Sequence, residues 1–202
     1  PAAGCGTRMK HSGVAVPKQF WPIRGVPMVY HSLKTFSHMK SVRRIIVAAQ
    51  KQHFHFFSPE VLAEHGIHRV IVVEGGAERV DSVGNALRYV KKDVSYVMVH
   101  DAARPFVDRE DIRRVVTVAK KKGAAILGRS MVPTVKQVQR NGQIKRTIDR
   151  RRLKGAETPQ VFRTDILKKA YKHYAHKNIK GPVTDDAYLV EAMGEMVWCV
   201  EA

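Results

Sequence analysis

Cysteine is scarce in this chain, acidic residues are few, and no apolar stretch is long. Only Cys5 and Cys199 occur, far apart in sequence. That spacing offers neither a disulfide framework nor a metal-ligand cluster, so two plain thiols in a reducing cytoplasm are expected. No apolar run approaches the roughly 20 residues of a bilayer-crossing helix, and no signal-peptide pattern is present, so no membrane partner is expected. Asp and Glu number 18 against 36 Lys and Arg, a formal net charge of +18. Such a balance attracts polyanions: nucleotides, nucleic acid or acidic surfaces. The basic residues are nevertheless spread out, and Lys120-Lys121-Lys122 and Arg150-Arg151-Arg152 are the only tight runs. A solvated basic surface is the plainer reading. Without zinc-finger spacing or an RNA-recognition signature, no specific nucleic-acid partner is expected.

What is present points to one α/β domain. The 202 residues, 44% of them hydrophobic, suffice for a sizeable core. Apolar β-rich runs at 44–49, 69–73, 96–100 and 124–127 read as buried strands, as in a mostly parallel, Rossmann-like sheet flanked by helices. Amphipathic stripes lie between them: Met28, Val29, Leu33 and Phe36; then Val80, Val83, Ala86, Leu87 and Val90. Ser58-Pro59 reads as a cap and first turn, Asp108 as the cap of a helix carrying Ile112, Val115, Val116 and Ala119. Thr164 and Thr184 are expected to start two further helices, the second closed by Gly194. Asn141-Gly142 is a strong hairpin signal inside a polar stretch. It predicts a protruding β-hairpin arm over about 133–150, either pairing with another subunit or merely decorating the surface. The chain opens on proline with no strand ahead of its glycine loop and stops after residues 197–202 without a closing helix. The expectation is a single domain, 1–202, that lacks its first strand and a C-terminal segment.

Ligands of open α/β sheets bind beyond the carboxyl ends of the strands. Three segments fall there: residues 1–9 (PAAGCGTRM), 74–82 (EGGAERVDS) and 100–105 (HDAARP). Gly4 and Gly6, with Ala2 and Ala3, leave backbone N–H groups uncovered for an anion, although paired glycines often mark only a turn. The loop is not a Walker loop, since the lysine-serine ending is missing. Arg8 and Lys18 bracket the same space and would stabilise charge on phosphate oxygens. Gly75-Gly76 lets backbone approach a base or ribose, and Ser82 supplies a hydroxyl. Asp101 can hold a magnesium ion that bridges phosphates; a turn cap is the plainer alternative. Arg104 is expected to hold its loop, His100 to pack at a strand end. His53 and His55 look like exposed loop histidines rather than a metal pair.

Taken together, PAAGCGTRM, PKQF, VEGGAERVDSV, VHDAARPFV, TVKQV, AETPQVF and TDDAYLVEAMG resemble, in order and spacing, the 2-C-methyl-D-erythritol 4-phosphate cytidylyltransferases of the non-mevalonate isoprenoid pathway. The resemblance spans essentially the whole chain. It implies transfer of a cytidylyl group from CTP to the phosphate of 2-C-methyl-D-erythritol 4-phosphate, with release of pyrophosphate. It implies that Arg8 and Lys18 are catalytic, that Ala2, Ala3, Gly4, Gly6, Gly75, Ser82 and Ala102 contact CTP, and that Asp101 is the magnesium-associated aspartate. Thr134 and Arg150 match the arm residues that hold the acceptor across a homodimer, and Asp185 falls in a segment kept near the substrate.

Ribitol-phosphate cytidylyltransferases are similar too, so ribitol 5-phosphate is the alternative acceptor. The alanine of HDAARP and the TVK…TIDR…TPQ arm lean toward the erythritol phosphate. Pro133 departs from the aspartate usual before the arm threonine, and Lys154-Gly155 replaces a bulkier pair ahead of TPQ. A substrate-holding Asn-x-Lys segment of the family lies beyond the last residue given. A basic nucleic-acid-binding protein or an inactive relative are the remaining readings.

Overall fold

The computed structural model of this chain describes residues 1–3, 16–176 and 183–202. In chain order, its strands are β1 (Pro22–Ile23), β2 (Val26–Pro27), β3 (Ile45–Ala49), β4 (Val70–Glu74), β5 (Tyr96–Val99), β6 (Ala124–Ser130), β7 (Val135–Val138), β8 (Ile144–Ile148), β9 (Lys154–Arg163) and β10 (Trp198–Glu201). The α-helices are α1 (Met28–Ser37), α2 (Pro59–Glu64), α3 (Arg79–Leu87), α4 (Arg109–Lys122), α5 (Thr164–His176) and α6 (Asp186–Ala192).

Helix boundaries follow the capping chemistry. Asp108 accepts from the Glu110 N–H at 2.6 Å and starts α4. Glu110 and Asp111 then occupy its first turn and Lys120–Lys122 its last, signs that complement the helix dipole. Gly123, at φ 94°, ends α4 and returns its N–H to Ala119 at 2.7 Å. Ser58 caps α2 with Pro59 in its first turn. Two expectations shift. α3 ends at Leu87, and Val90 reaches the core from the turn beyond it. α6 is capped by Asp185 rather than Thr184, because the Asp185 backbone is extended and its carboxylate accepts from the Tyr188 N–H at 2.9 Å.

Four strands form one sheet in the order β10-β6-β9-β5, and β3 and β4 pair in parallel beside it. β10 runs parallel to β6, whereas β9 is antiparallel to both β5 and β6 and makes the sheet mixed. β9, like β10, is a strand the apolar pattern did not single out. Thr158, Pro159 and Gln160 interrupt its apolar run, and Pro159 lacks a ladder N–H. The β6–β9 register shifts beside it, between Ile126 and Leu127.

The largest core cluster surrounds Phe162 of β9, with Leu167 and Ala170 of α5, Leu189 and Val190 of α6, and Val80, Val83 and Leu87 of α3. A second packs Val29, Tyr30 and Leu33 of α1 against Val47, Phe20 and Phe57. His53 belongs beside this second cluster and is not an exposed loop residue. It sits in a 3₁₀ turn, Lys51–Phe57, with its ring 4.9 Å from Phe20, and burial lowers its pKa. His55 is exposed, as expected.

A cleft of about 690 Å³ separates β3 from β5. Residues 1–3 lie at its strand-end side: the Ala2 N–H donates to the Ala48 carbonyl at 2.7 Å, and the Ala102 N–H to the Pro1 carbonyl at 3.2 Å. This tie across the cleft brings three loops to one rim.

Candidate nucleotide site at the sheet rim

The loop after β4 closes over residues 1–3. Gly75 donates its N–H to the Ala49 carbonyl at 2.8 Å. A Cβ on Gly75 would lie 2.3 Å from the Ala3 Cβ, and one on Gly76 2.1 Å from the Asp81 Cβ. Only glycine permits this approach. The Ser82 hydroxyl accepts from the Gly76 N–H at 3.0 Å and donates to the Glu78 carbonyl at 3.0 Å. It therefore shapes the glycine turn. Gln50 adds a 3.4 Å contact from its side-chain amide to the Ala3 carbonyl.

The loop after β5 carries Asp101 and Ala102. The Asp101 N–H donates to Thr158 Oγ1 at 3.2 Å, and the same hydroxyl meets His100 Nδ1 at 3.1 Å. His100 Nε2 lies 2.9 Å from the Arg104 carbonyl oxygen. Burial pulls the His100 pKa down to about 4, so the ring is neutral near pH 7. A neutral ring that accepts the Thr158 hydroxyl at Nδ1 and donates Nε2–H to Arg104 satisfies every partner.

The Asp101 carboxylate receives Arg79 Nε at 3.1 Å on Oδ1, and Arg104 Nε stands 3.7 Å from Oδ2. Burial, the largest influence, pushes the Asp101 pKa up, but the charge and hydrogen bond of Arg79 and the other positive groups nearby together outweigh it, and the group stays below its ordinary value. Arg104 also reaches Glu157 Oε1 at 3.6 Å, an oxygen that Arg129 approaches at 3.2 Å. This chain of charges joins the Asp101 loop to the base of the arm.

Lys18 opens a 3₁₀ turn, Lys18–Phe20, and is exposed. The next residue, Gln19, is buried and donates to the Ala2 carbonyl at 2.7 Å, which docks the Lys18 turn against residues 1–3. Arg8, Gly4 and Gly6 lie outside the described residues. The structure thus gathers Ala2, Ala3, Gly75, Ser82, Asp101 and Ala102 at one rim, with the Lys18 turn docked on it.

The arm is a hairpin of β7 and β8 that leaves from the end of β6 and returns to the start of β9. Gly142 turns it at φ 86°. Thr134 and Arg150 flank its base, both exposed, and Arg150 Nη1 donates to the Val132 carbonyl. Asp185 has both oxygens engaged, Oδ1 by the Tyr188 N–H and Oδ2 by Gln160 Nε2, each at 2.9 Å.

Arg79, Thr158, Gln160 and Asp186 were not singled out from the sequence. An arginine at the start of an apolar helix stripe was the available signal. Among the described residues no three His, Cys, Asp or Glu side chains gather round a metal position. A cation at Asp101 would take its other ligands from phosphate oxygens and water, a donor set that suits magnesium. No helix among the described residues is long and apolar enough to cross a membrane.

The Ala2 N–H is not left uncovered as expected, since the Ala48 carbonyl takes it; a glycine turn, a carboxylate and cations at the strand ends of an α/β sheet accord with a nucleotidyltransferase. The particular family follows from comparison with known proteins. The chain belongs to the 2-C-methyl-D-erythritol 4-phosphate cytidylyltransferase (IspD) family, whose model matches residues 1–202. It is 40% identical over 202 residues to the 2-C-methyl-D-erythritol 4-phosphate cytidylyltransferase of Bacillus mycoides, covering 100% of this chain and 86% of that protein. A relative of the same name from Alkaliphilus oremlandii is 36% identical over 197 residues, 97% of this chain and 81% of its own. The crystal structure of the Francisella tularensis 2-C-methyl-D-erythritol 4-phosphate cytidylyltransferase superposes with a TM-score of 0.80 at 30% identity, covering 100% of this chain and 87% of that one. The same fold recurs at 24% identity and a TM-score of 0.83 in an Anaerococcus prevotii protein, over 91% of this chain and 83% of that one.

Proposed function

We propose that this protein transfers the cytidylyl group of CTP to the phosphate of 2-C-methyl-D-erythritol 4-phosphate and releases pyrophosphate. The observation that carries this reading is the family match over residues 1–202. The convergence of three loops on one rim accords with it. A phosphate oxygen of the acceptor attacks the α-phosphorus of CTP, and the bond from that phosphorus to the bridging oxygen of the leaving pyrophosphate breaks. Little covalent chemistry falls to the protein, so its work is positioning and charge neutralisation.

Ala2, Ala3, Gly4, Gly6, Gly75 and Ala102 present backbone to the nucleotide, and Ser82 holds the Gly76 turn in shape. Arg8 and Lys18 stabilise the charge that builds on the phosphate oxygens. Asp101 would hold a magnesium ion, which when bound neutralises phosphate charge. Thr134 and Arg150 hold the acceptor phosphate at the base of the arm. The arm exposes Val138 and Ile144, each 58% accessible, which suits packing against a second copy in a homodimer. Asp185 contributes by pinning the start of α6 to Gln160 of β9. The reaction is read as cytoplasmic, the reducing compartment that the two dispersed cysteines suit.

Incubation with CTP, magnesium and 2-C-methyl-D-erythritol 4-phosphate is expected to release pyrophosphate, and ribitol 5-phosphate to release much less. Lys18→Ala is expected to lower kcat by on the order of 10²–10³-fold, the usual cost of removing a group that stabilises transition-state charge. Pyrophosphate release that survives Lys18→Ala unchanged removes the catalytic assignment.

A further inference from the structure

Arg79 opens α3 with its side chain only 25% exposed, and its two ends meet two different carboxylates. Nε donates to Asp101 Oδ1 at 3.1 Å. Nη2 lies 2.8 Å from Asp186 Oδ2, an ion contact whose angle falls short of a hydrogen bond. Asp186 is wholly buried at the first turn of α6. Its Oδ1 takes the Tyr171 hydroxyl, from α5, at 2.5 Å. Its backbone N–H donates to Gln160 Oε1 at 3.2 Å, as does the Ala187 N–H at 3.1 Å. Nothing in the reaction set out above uses Arg79, Asp186 or Tyr171.

We infer that Arg79 is a positioning residue for Asp101. The inference rests on the reading in which Asp101 holds the magnesium of the CTP complex. A carboxylate at a loop start turns freely about two torsions unless something engages it. Arg79 engages Oδ1, and the planar guanidinium fixes direction as well as charge. Oδ2 is left on the side of the loop over 101–105, where Arg104 Nε stands 3.7 Å from it. Arg79 itself cannot swing, because Asp186 grips its far side and Tyr171 and Gln160 hold Asp186. The brace thus runs from α5 and α6, through the base of α3, to one oxygen at the rim. Its consequence is specific: the chain pre-sets the orientation of the metal-holding oxygen before the nucleotide arrives. Groups that orient a ligating carboxylate from behind commonly change metal affinity 10–100-fold when removed.

The test is calorimetric titration with CTP alone and with CTP plus Mn²⁺, on the wild type and on Asp101→Asn, Arg79→Gln, Arg79→Lys and Tyr171→Phe. The readout is the gain in nucleotide affinity that the metal brings. The wild type should show a gain and Asp101→Asn should lose it. Arg79→Gln should lose about tenfold or more of the gain while its affinity for CTP alone changes little. Arg79→Lys, which keeps the charge without the fork, should fall between. Tyr171→Phe leaves every charge in place and should erode the gain a few-fold, which keeps the idea testable if Arg79→Gln does not fold. A folded Arg79→Gln variant, or Tyr171→Phe, with the wild-type gain overturns the positioning role alone. An Asp101→Asn variant with the wild-type gain overturns the metal reading of Asp101, and this inference with it.

Discussion

At the rim, Asp101 is held by residues distant in sequence, gripped by Arg79 and Thr158, 22 and 57 positions away. In the arm, neighbours hold neighbours. β7 and β8 pair through a tight turn, Lys136 Nζ reaches Thr147 at 2.7 Å, and Asp149 holds Arg151 at 2.7 Å. Most of the arm is exposed, while the brace behind the rim ends in a wholly buried aspartate. The loops of the rim are therefore tied to one another, the preorganisation that the proposed charge stabilisation calls for. The arm is anchored to the domain at its base and otherwise exposed, as the proposed packing against a second copy requires. In the proposed reaction the braced rim takes the nucleotide and the exposed arm the acceptor.

Four substitutions sharpen this contrast. Gly75→Val should abolish CTP binding by calorimetry, since its first added carbon already lies 2.3 Å from the Ala3 Cβ; binding that survives would show that the loop after β4 is not part of the site. Phe162→Ala should cost about 3–5 kcal/mol in denaturant unfolding, the usual price of emptying a fully buried aromatic site. Val138→Ala in the arm should change monomer stability by less than about 0.5 kcal/mol. Equal costs at the two positions would erase the distinction between core and arm. Arg150→Ala should raise KM for the acceptor about tenfold or more while CTP affinity stays as it was, a shift equivalent to about 1.4 kcal/mol of binding.

A further test is a pH dependence in the second core. The Tyr30 hydroxyl donates to the Phe56 carbonyl, and burial pushes its pKa from 10.0 to about 12. A phenol with a raised folded-state pKa contributes stability that is complete below pH 10 and is lost as pH rises toward about 12. Tyr30→Phe should lack that alkaline loss, as judged by unfolding midpoints from pH 8 to about 12. Parallel curves for the two proteins would remove Tyr30 from the account.

The contrast also explains what the sequence discloses. The four expected strands, the caps at Ser58 and Asp108 and the Asn141-Gly142 turn are local patterns, and each is where it was expected. β9 was not singled out as a strand because its polar residues serve the site. Thr158 supports Asp101, and Gln160 clamps the start of α6. His53 was misjudged because its burial depends on Phe20, 33 positions away in the chain. Arg79 stood inside a recognised motif, yet its partners Asp101 and Asp186 meet only once the sheet has formed. Local chemistry is legible in one dimension, whereas the braces are made of pairs that only folding brings together.

Backbone amide NMR shifts on addition of CTP with magnesium test the central claim most directly. The account predicts large shifts at Ala2, Ala3, Gly75, Gly76, Asp101 and Ala102, with β7 and β8 nearly unchanged until the acceptor phosphate is added. Shifts confined to the arm, or to the face formed by His31, Lys34 and Phe106, would contradict it.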